Sequence, residues 1–173
     1  MKRELCAIFL CLSLVLVVEA RASVLPPACG DDKIKFDVTT QKDPPAPAPP
    51  QAGKAQIVFV EDQNEAHNAF HPWDVVRFGM DGAWVGANMG NSYFTLDVAP
   101  GMHHLCVSVQ GWRKSFDLVP INAEPGKIYY IAGQVTESMY YYDFRLTQLN
   151  DDQAEYRLKN WQLSKWKIKP EQH

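Results

Sequence analysis

The chain has 173 residues, 46% of them apolar and 12% aromatic, with a formal charge of −3 at neutral pH. That length supports one domain with a real core. The mildly acidic balance gives no electrostatic case for nucleic acid, whose binding rests on Lys and Arg neutralising phosphates, nor for an anionic membrane surface.

Met1-Lys2-Arg3 is a short basic start, residues 5–18 follow without a charge, and Ala20-Arg21-Ala22 supplies the small-x-small pattern before a cut. Together these predict a secretory signal peptide cleaved after Ala22, and a secreted or periplasmic product. The apolar run is shorter than the ~20 residues a membrane span needs, so no integral span is expected after cleavage. Of the four cysteines, Cys6 and Cys11 leave with the signal, and Cys29 and Cys106 stay. An even number of thiols in an oxidising compartment predicts a disulfide. The alternatives are two free thiols or an intermolecular bond. A lipid-bearing Cys29 is disfavoured by Pro26 and Pro27, which stand where small or apolar residues are wanted.

Four segments are expected: signal peptide at 1–22, N-terminal arm at 23–42, Pro-rich linker at 43–52 and β-sandwich domain at 53–169. In the arm, Ile34, Phe36 and Val38 alternate with Lys33, Lys35 and Asp37, as in an outlying strand. Residues 43–50, DPPAPAPP, read as extended polyproline without internal hydrogen bonds, a stiff spacer that cannot enter a sheet interior. A ligand for an aromatic groove is its functional alternative. Residues 56–60, QIVFV, are apolar on both faces, as a central strand covered on both sides would be. Residues 61–73 are polar and read as a loop with a helical turn.

Residues 74–110 predict an antiparallel meander of four strands. Asp81-Gly82 is a strong hairpin signal, because a type I′ turn needs φ > 0 at both central positions. Gly90-Asn91 and Pro100-Gly101 supply the next two turns. Phe94, Leu96 and Val98 share one face of their strand, opposite Tyr93, Thr95 and Asp97. In the next strand His103, Leu105, Val107 and Val109 oppose His104, Cys106, Ser108 and Gln110. Cys106 therefore lies on a polar face, where a segment carrying Cys29 can cross and be stapled to it. Further strands are predicted at 115–119, 127–136 and 140–149. Asn150 then caps a helix, with Gln153 in the capping-box position and Ala154, Leu158 and Trp161 as its apolar stripe. Glu155 and Lys159 form a favourable i, i+4 pair. The tail at 165–169 alternates again and reads as an edge strand guarded by lysines. The fold class is thus an all-β antiparallel sandwich of about seven to eight strands, with one short C-terminal helix.

No catalytic constellation stands out. His67 and His71 have the i, i+4 spacing of a helical metal pair, but Pro72 pushes His71 towards extended geometry and no third ligand is evident. They are weak metal candidates, so no metal or other cofactor is expected. His103 and His104 point to opposite faces of a strand and cannot share an ion. His103 reads as a buried histidine with a hydrogen-bond partner. Ser108 and Ser115 lack an elbow motif, and Asp151-Asp152 is explained by a helix start. Trp84, Tyr130 and Phe144 read as core. Trp73, Trp112 and Tyr141 sit in turns or on polar faces and are the candidates for a ligand surface.

Three stretches carry a family likeness: GKAQIVFVED, then VRFGMDGAWVGANMGNSYFTLDVAPGMHHLCV, then EPGKIYYIAGQV. Asp81-Gly82 with Val85-Gly86, Tyr93-Phe94, Pro100-Gly101 with His103, and Gly126 with Tyr129-Tyr130 resemble an uncharacterised family of exported bacterial proteins, domain of unknown function 2846. The resemblance covers about residues 53–149. It implies a small β-sandwich of the transthyretin or carboxypeptidase-regulatory type, akin to the PEGA surface domains, and no known activity. The expected function is an exported, non-enzymatic module mediating protein or envelope interactions. Its alternatives are a carbohydrate-binding module using Trp73, Trp112 and Tyr141, and, last, a metal-binding protein or small metal-dependent enzyme using His67 and His71. The expected partner is a protein or glycan of the envelope, with no nucleic acid.

Overall fold

The computed structural model describes residues 28–63, 71, 73–111, 116–138 and 141–170, with the backbone alone at 135–138 and 141–143. The expected signal peptide, His67 and Trp112 lie outside the described residues, as does the side chain of Tyr141. Among the described residues ten strands form two sheets, with one helix near the C-terminal end. The strands are β1 (Phe36–Gln41), β2 (Ala55–Asp62), β3 (Val75–Met80), β4 (Ala83–Met89) and β5 (Ser92–Val98). They continue as β6 (Gly101–Val109), β7 (Phe116–Ala123), β8 (Ile128–Ser138), β9 (Tyr141–Leu149) and β10 (Gln162–Ile168). Helix α1 is Asp151–Asn160. The larger sheet runs β1-β10-β5-β2-β8-β9 and the smaller β4-β3-β6-β7. The chain is an all-β sandwich with one short C-terminal helix.

Three features depart from the sequence expectation. First, the larger sheet is mixed, since β2 pairs parallel with β8 and β10 pairs parallel with β5. Second, residues 74–110 are not one meander. The Asp81-Gly82 hairpin forms, both residues at positive φ, and β3 pairs with β4 and β6. The Gly90-Asn91 turn, however, carries β5 into the opposite sheet, where it pairs with β2, and Pro100-Gly101 returns the chain to β6. Period-two alternation marks an inner and an outer face and is indifferent to which sheet a strand joins. Third, β10 is not the outermost strand. It lies between β1 and β5 but meets β5 only at Gln162 and Leu163, so residues 165–168 pair on one side alone, with β1, which is the outermost strand.

The interior is the expected set of alternate residues. Ile57, Phe59, Val76, Phe78, Phe94, Leu105 and Val107 are buried between the sheets, and the Phe59 ring lies 5.0 Å from Phe94 and 5.1 Å from Phe78. Burying each such side chain contributes about 1.5–3 kcal/mol. A second core lies on the outer face of the larger sheet. There Val58, Val60 and Ala132 pack under Ala154 and Leu158 of α1 and Trp161 at its C-cap, so β2 is covered on both faces as its run of apolar residues requires. The capping box at Asn150 is present with both hydrogen bonds. At the other end of α1, Asp62 accepts hydrogen bonds from Arg157 Nη2 at 2.6 Å and Nε at 3.1 Å, and from Gln134 at 2.9 Å.

The arm lies against the smaller sheet. Cys29 is bonded to Cys106, with Cα atoms 5.3 Å apart, an ordinary disulfide span. Trp84 Nε1 donates to the Asp31 carbonyl at 2.7 Å, Arg77 Nη1 donates to the Ile34 carbonyl at 2.9 Å, and Gln110 pairs with both backbone groups of Phe36. The polar face that bears Cys106 and Ser108 is therefore buried, not solvated.

Candidate functional site

The outer face of the larger sheet carries a groove that three distant segments build. Alternation puts Tyr93 on β5 and Tyr130 on β8 outward, diagonal to each other across Val58 and Val60 of β2. Helix α1 crosses this face, and Asp151, Glu155, Leu158 and Lys159, at i, i+4, i+7 and i+8, turn one side of the helix to the groove. The second wall is the polyproline segment. Asp43, at φ 49°, turns the chain out of β1. Pro44, Pro47 and Pro50 are then half-buried while the residues between them are exposed. That period of three is the polyproline II repeat with one row laid on the domain. The segment is thus a strap along the sheet as well as a stiff connection, and its Pro-x-x-Pro row faces inward. Gln51 N donates to Asp97 at 3.4 Å where the strap ends.

The groove between strap and helix has a volume of about 660 Å³, within the ~300–1,000 Å³ of small-molecule sites. Among the described residues neither tyrosine hydroxyl at its floor has a hydrogen-bond partner. Burial raises the pKa of Tyr93; burial and then the Asp151 charge raise that of Tyr130. Both hydroxyls stay neutral and can donate or accept. The rim holds the carboxylates of Asp43, Asp151 and Glu155 and one ammonium, Lys159, which is paired with Glu155 at 2.7 Å.

The sequence candidates lie elsewhere. Trp73 is 67% exposed beyond the end of β2, and His71 Nδ1 stands 4.0 Å from Asp74. The strand ends flanking the segments of His67, Trp112 and Tyr141 lie at this same end of the sandwich. Among the described residues no three His, Cys, Asp or Glu side chains come together as a metal site. Buried polar groups do collect nearby. Glu61 is fully buried and accepts from Gln63, while Glu61 Oε2, Gln63 Oε1 and Asn88 Oδ1 have no hydrogen-bond partner among the described residues. Burial pushes the Glu61 pKa well up, the Gly90 backbone hydrogen bond opposes it, and the Asp74 charge adds to the rise.

His103 is half-buried rather than buried as its strand position implied, and both its ring nitrogens are engaged. Nδ1 lies 2.6 Å from Asp81 Oδ2 and Nε2 lies 2.8 Å from the Ala99 carbonyl. A carbonyl and a carboxylate only accept, so both bonds form together only in the imidazolium. Burial lowers the His103 pKa, but the bonds to Asp81 and Ala99 and the Asp81 charge outweigh it and raise it. A ring with both nitrogens bonded has no free lone pair for general-base work. His104 is exposed, and Trp84 packs against the disulfide with its ring under Arg77 at 4.3 Å.

Compared with family models, curated proteins and solved structures, the chain has no match. The site is therefore read from its geometry. Sequence reasoning overlooked the groove because its walls and floor are far apart in the chain. The one local signal was the i, i+4, i+7, i+8 row of α1, in which Glu155 and Lys159 look like a solvated pair.

Proposed function

We propose that this chain is an exported, non-enzymatic β-sandwich module of the cell envelope that binds a small polar ligand in the groove between its polyproline strap and α1. The observation that carries this reading is a groove of ligand size floored by two tyrosines whose hydroxyls have no hydrogen-bond partner among the described residues. Export is supported by the basic, apolar and small-residue pattern of residues 1–22 and by the Cys29–Cys106 bond, which suits an oxidising compartment. Among the described residues no helix is long and apolar enough to cross a membrane. The resemblance to domain of unknown function 2846 supports a module without its own chemistry. The exposed Trp73 favours a second reading, stacking on a sugar ring at the loop end.

One experiment separates the two. Aromatic-ring NMR of the disulfide-bonded protein against a panel of disaccharides, amines and short peptides should shift the Tyr93 and Tyr130 rings with at least one probe class. Shifts confined to Trp73 and produced only by sugars would replace the groove by the loop end. A panel that moves neither would end the groove reading.

A further inference from the structure

We infer that the ligand of this groove is a linear polyamine, a chain of ammonium groups joined by short alkyl spacers. The inference rests on the groove being the binding site and adds the chemical class of its occupant. Charge is the first reason. Asp43, Asp151 and Glu155 face the groove against a single cation among its lining residues, Lys159, which is paired with Glu155, so the lining keeps an excess of two negative charges. The acidic first turn, Asp151-Asp152, also offsets the partial positive charge of the helix N-terminus.

Spacing is the second. Asp151 and Glu155 are four residues apart on one helix face, so they lie about 6 Å apart along the axis, while Asp43 stands on the opposite wall. Carboxylates spread along a groove match charges spread along a chain rather than one compact ion. The tyrosine floor and Leu158 provide an apolar bed for the alkyl spacers, and the phenol faces and hydroxyls favour cations above them.

Topology is the third, and it selects a free small molecule over a lysine-bearing peptide. At the residues that form the floor, Tyr93, Val58, Val60 and Tyr130, strands β5, β2 and β8 are paired with a neighbour on both sides. The floor therefore offers no open edge onto which a peptide backbone can add as a strand.

The test titrates spermidine, and separately a neutral disaccharide, into the disulfide-bonded protein and into the Asp151→Asn/Glu155→Gln double variant. Tyrosine-ring NMR and calorimetry read binding, and circular dichroism checks the fold. Spermidine should shift the Tyr93 and Tyr130 rings, bind about tenfold or more weakly in the double variant, and weaken with added salt as a screened interaction does. Spermidine binding equally well to the double variant would overturn the inference. So would disaccharide shifts at the same rings with no response to spermidine, although the groove itself would then stand as a binding site. Silence of both rings towards every probe would remove the groove along with the inference.

Discussion

Glu61 is the residue whose burial has the most direct consequence in solution. Its carboxyl lies between the sheets, and burial first of all holds its pKa well above the ordinary value of 4.5. The folded state therefore keeps a proton that the unfolded chain releases. Stability is unaffected by this group below the unfolded value. It declines as pH rises from there towards the raised folded pKa, at a limiting slope of about 1.4 kcal/mol per pH unit. Glu61→Gln keeps the shape and removes the titration. Urea denaturation of both proteins from mildly acidic to mildly alkaline pH should show the variant gaining on the native chain as pH rises. Parallel pH profiles would mean that Glu61 is already ionised in the folded protein. The sequence put residue 61 in a loop, so its direction was not legible there; β2 runs on through Asp62, and strand parity then carries Glu61 inward with Ile57 and Phe59. Its depth had no local signal either: Gln63, two residues on, donates to its carboxylate, and Asn88 of β4 reaches across to the Phe59 carbonyl two residues before it.

Among the elements, the arm shows most clearly how close backbone approach is bound to composition. Its passage over the smaller sheet needs a residue without a side chain at Gly30. A Cβ there would stand 2.6 Å from the Trp84 backbone nitrogen and would also meet the Trp84 ring. Neither the backbone nor an indole held by Asp31 and Arg77 gives way easily. Gly30→Ala should therefore cost about 1–3 kcal/mol, the range of overpacking changes, and should alter the Trp84 fluorescence of the folded protein. Unchanged stability and emission would show that the arm is not seated on Trp84. The alternation of Ile34, Phe36 and Val38 anticipated β1, and the placing of Cys106 on the polar face anticipated a crossing segment. The hydrogen bonds from Arg77, Trp84 and Gln110 that hold this segment had no local signal, since each side chain reaches a backbone group tens of residues away.

At the scale of the whole molecule, the disulfide connects the two sheets and, through them, the groove. Cys106 belongs to β6 of the smaller sheet, while the arm that begins at Cys29 continues into β1 of the larger sheet and then into the strap. Turn chemistry and alternation told which residues face inward. The crossings at Gly90-Asn91 and Pro100-Gly101 stayed hidden because a tight turn looks alike within a sheet and between two. The cross-linked residues are 77 apart in the chain, for which loop-closure entropy gives about 4.5 kcal/mol. Strain and denatured-state structure reduce such figures, so Cys29→Ala/Cys106→Ala should lower stability by about 2–4 kcal/mol. The loss should be uneven. β1 is bonded to the sheet through β10 alone, so amide exchange should quicken in β1 and β10 well before it does in β3 and β6. The strap follows directly from β1, so the Tyr93 and Tyr130 rings should lose their fixed environment in step with β1. Uniform acceleration across both sheets would instead make the bond a general staple, with no particular hold on the groove wall.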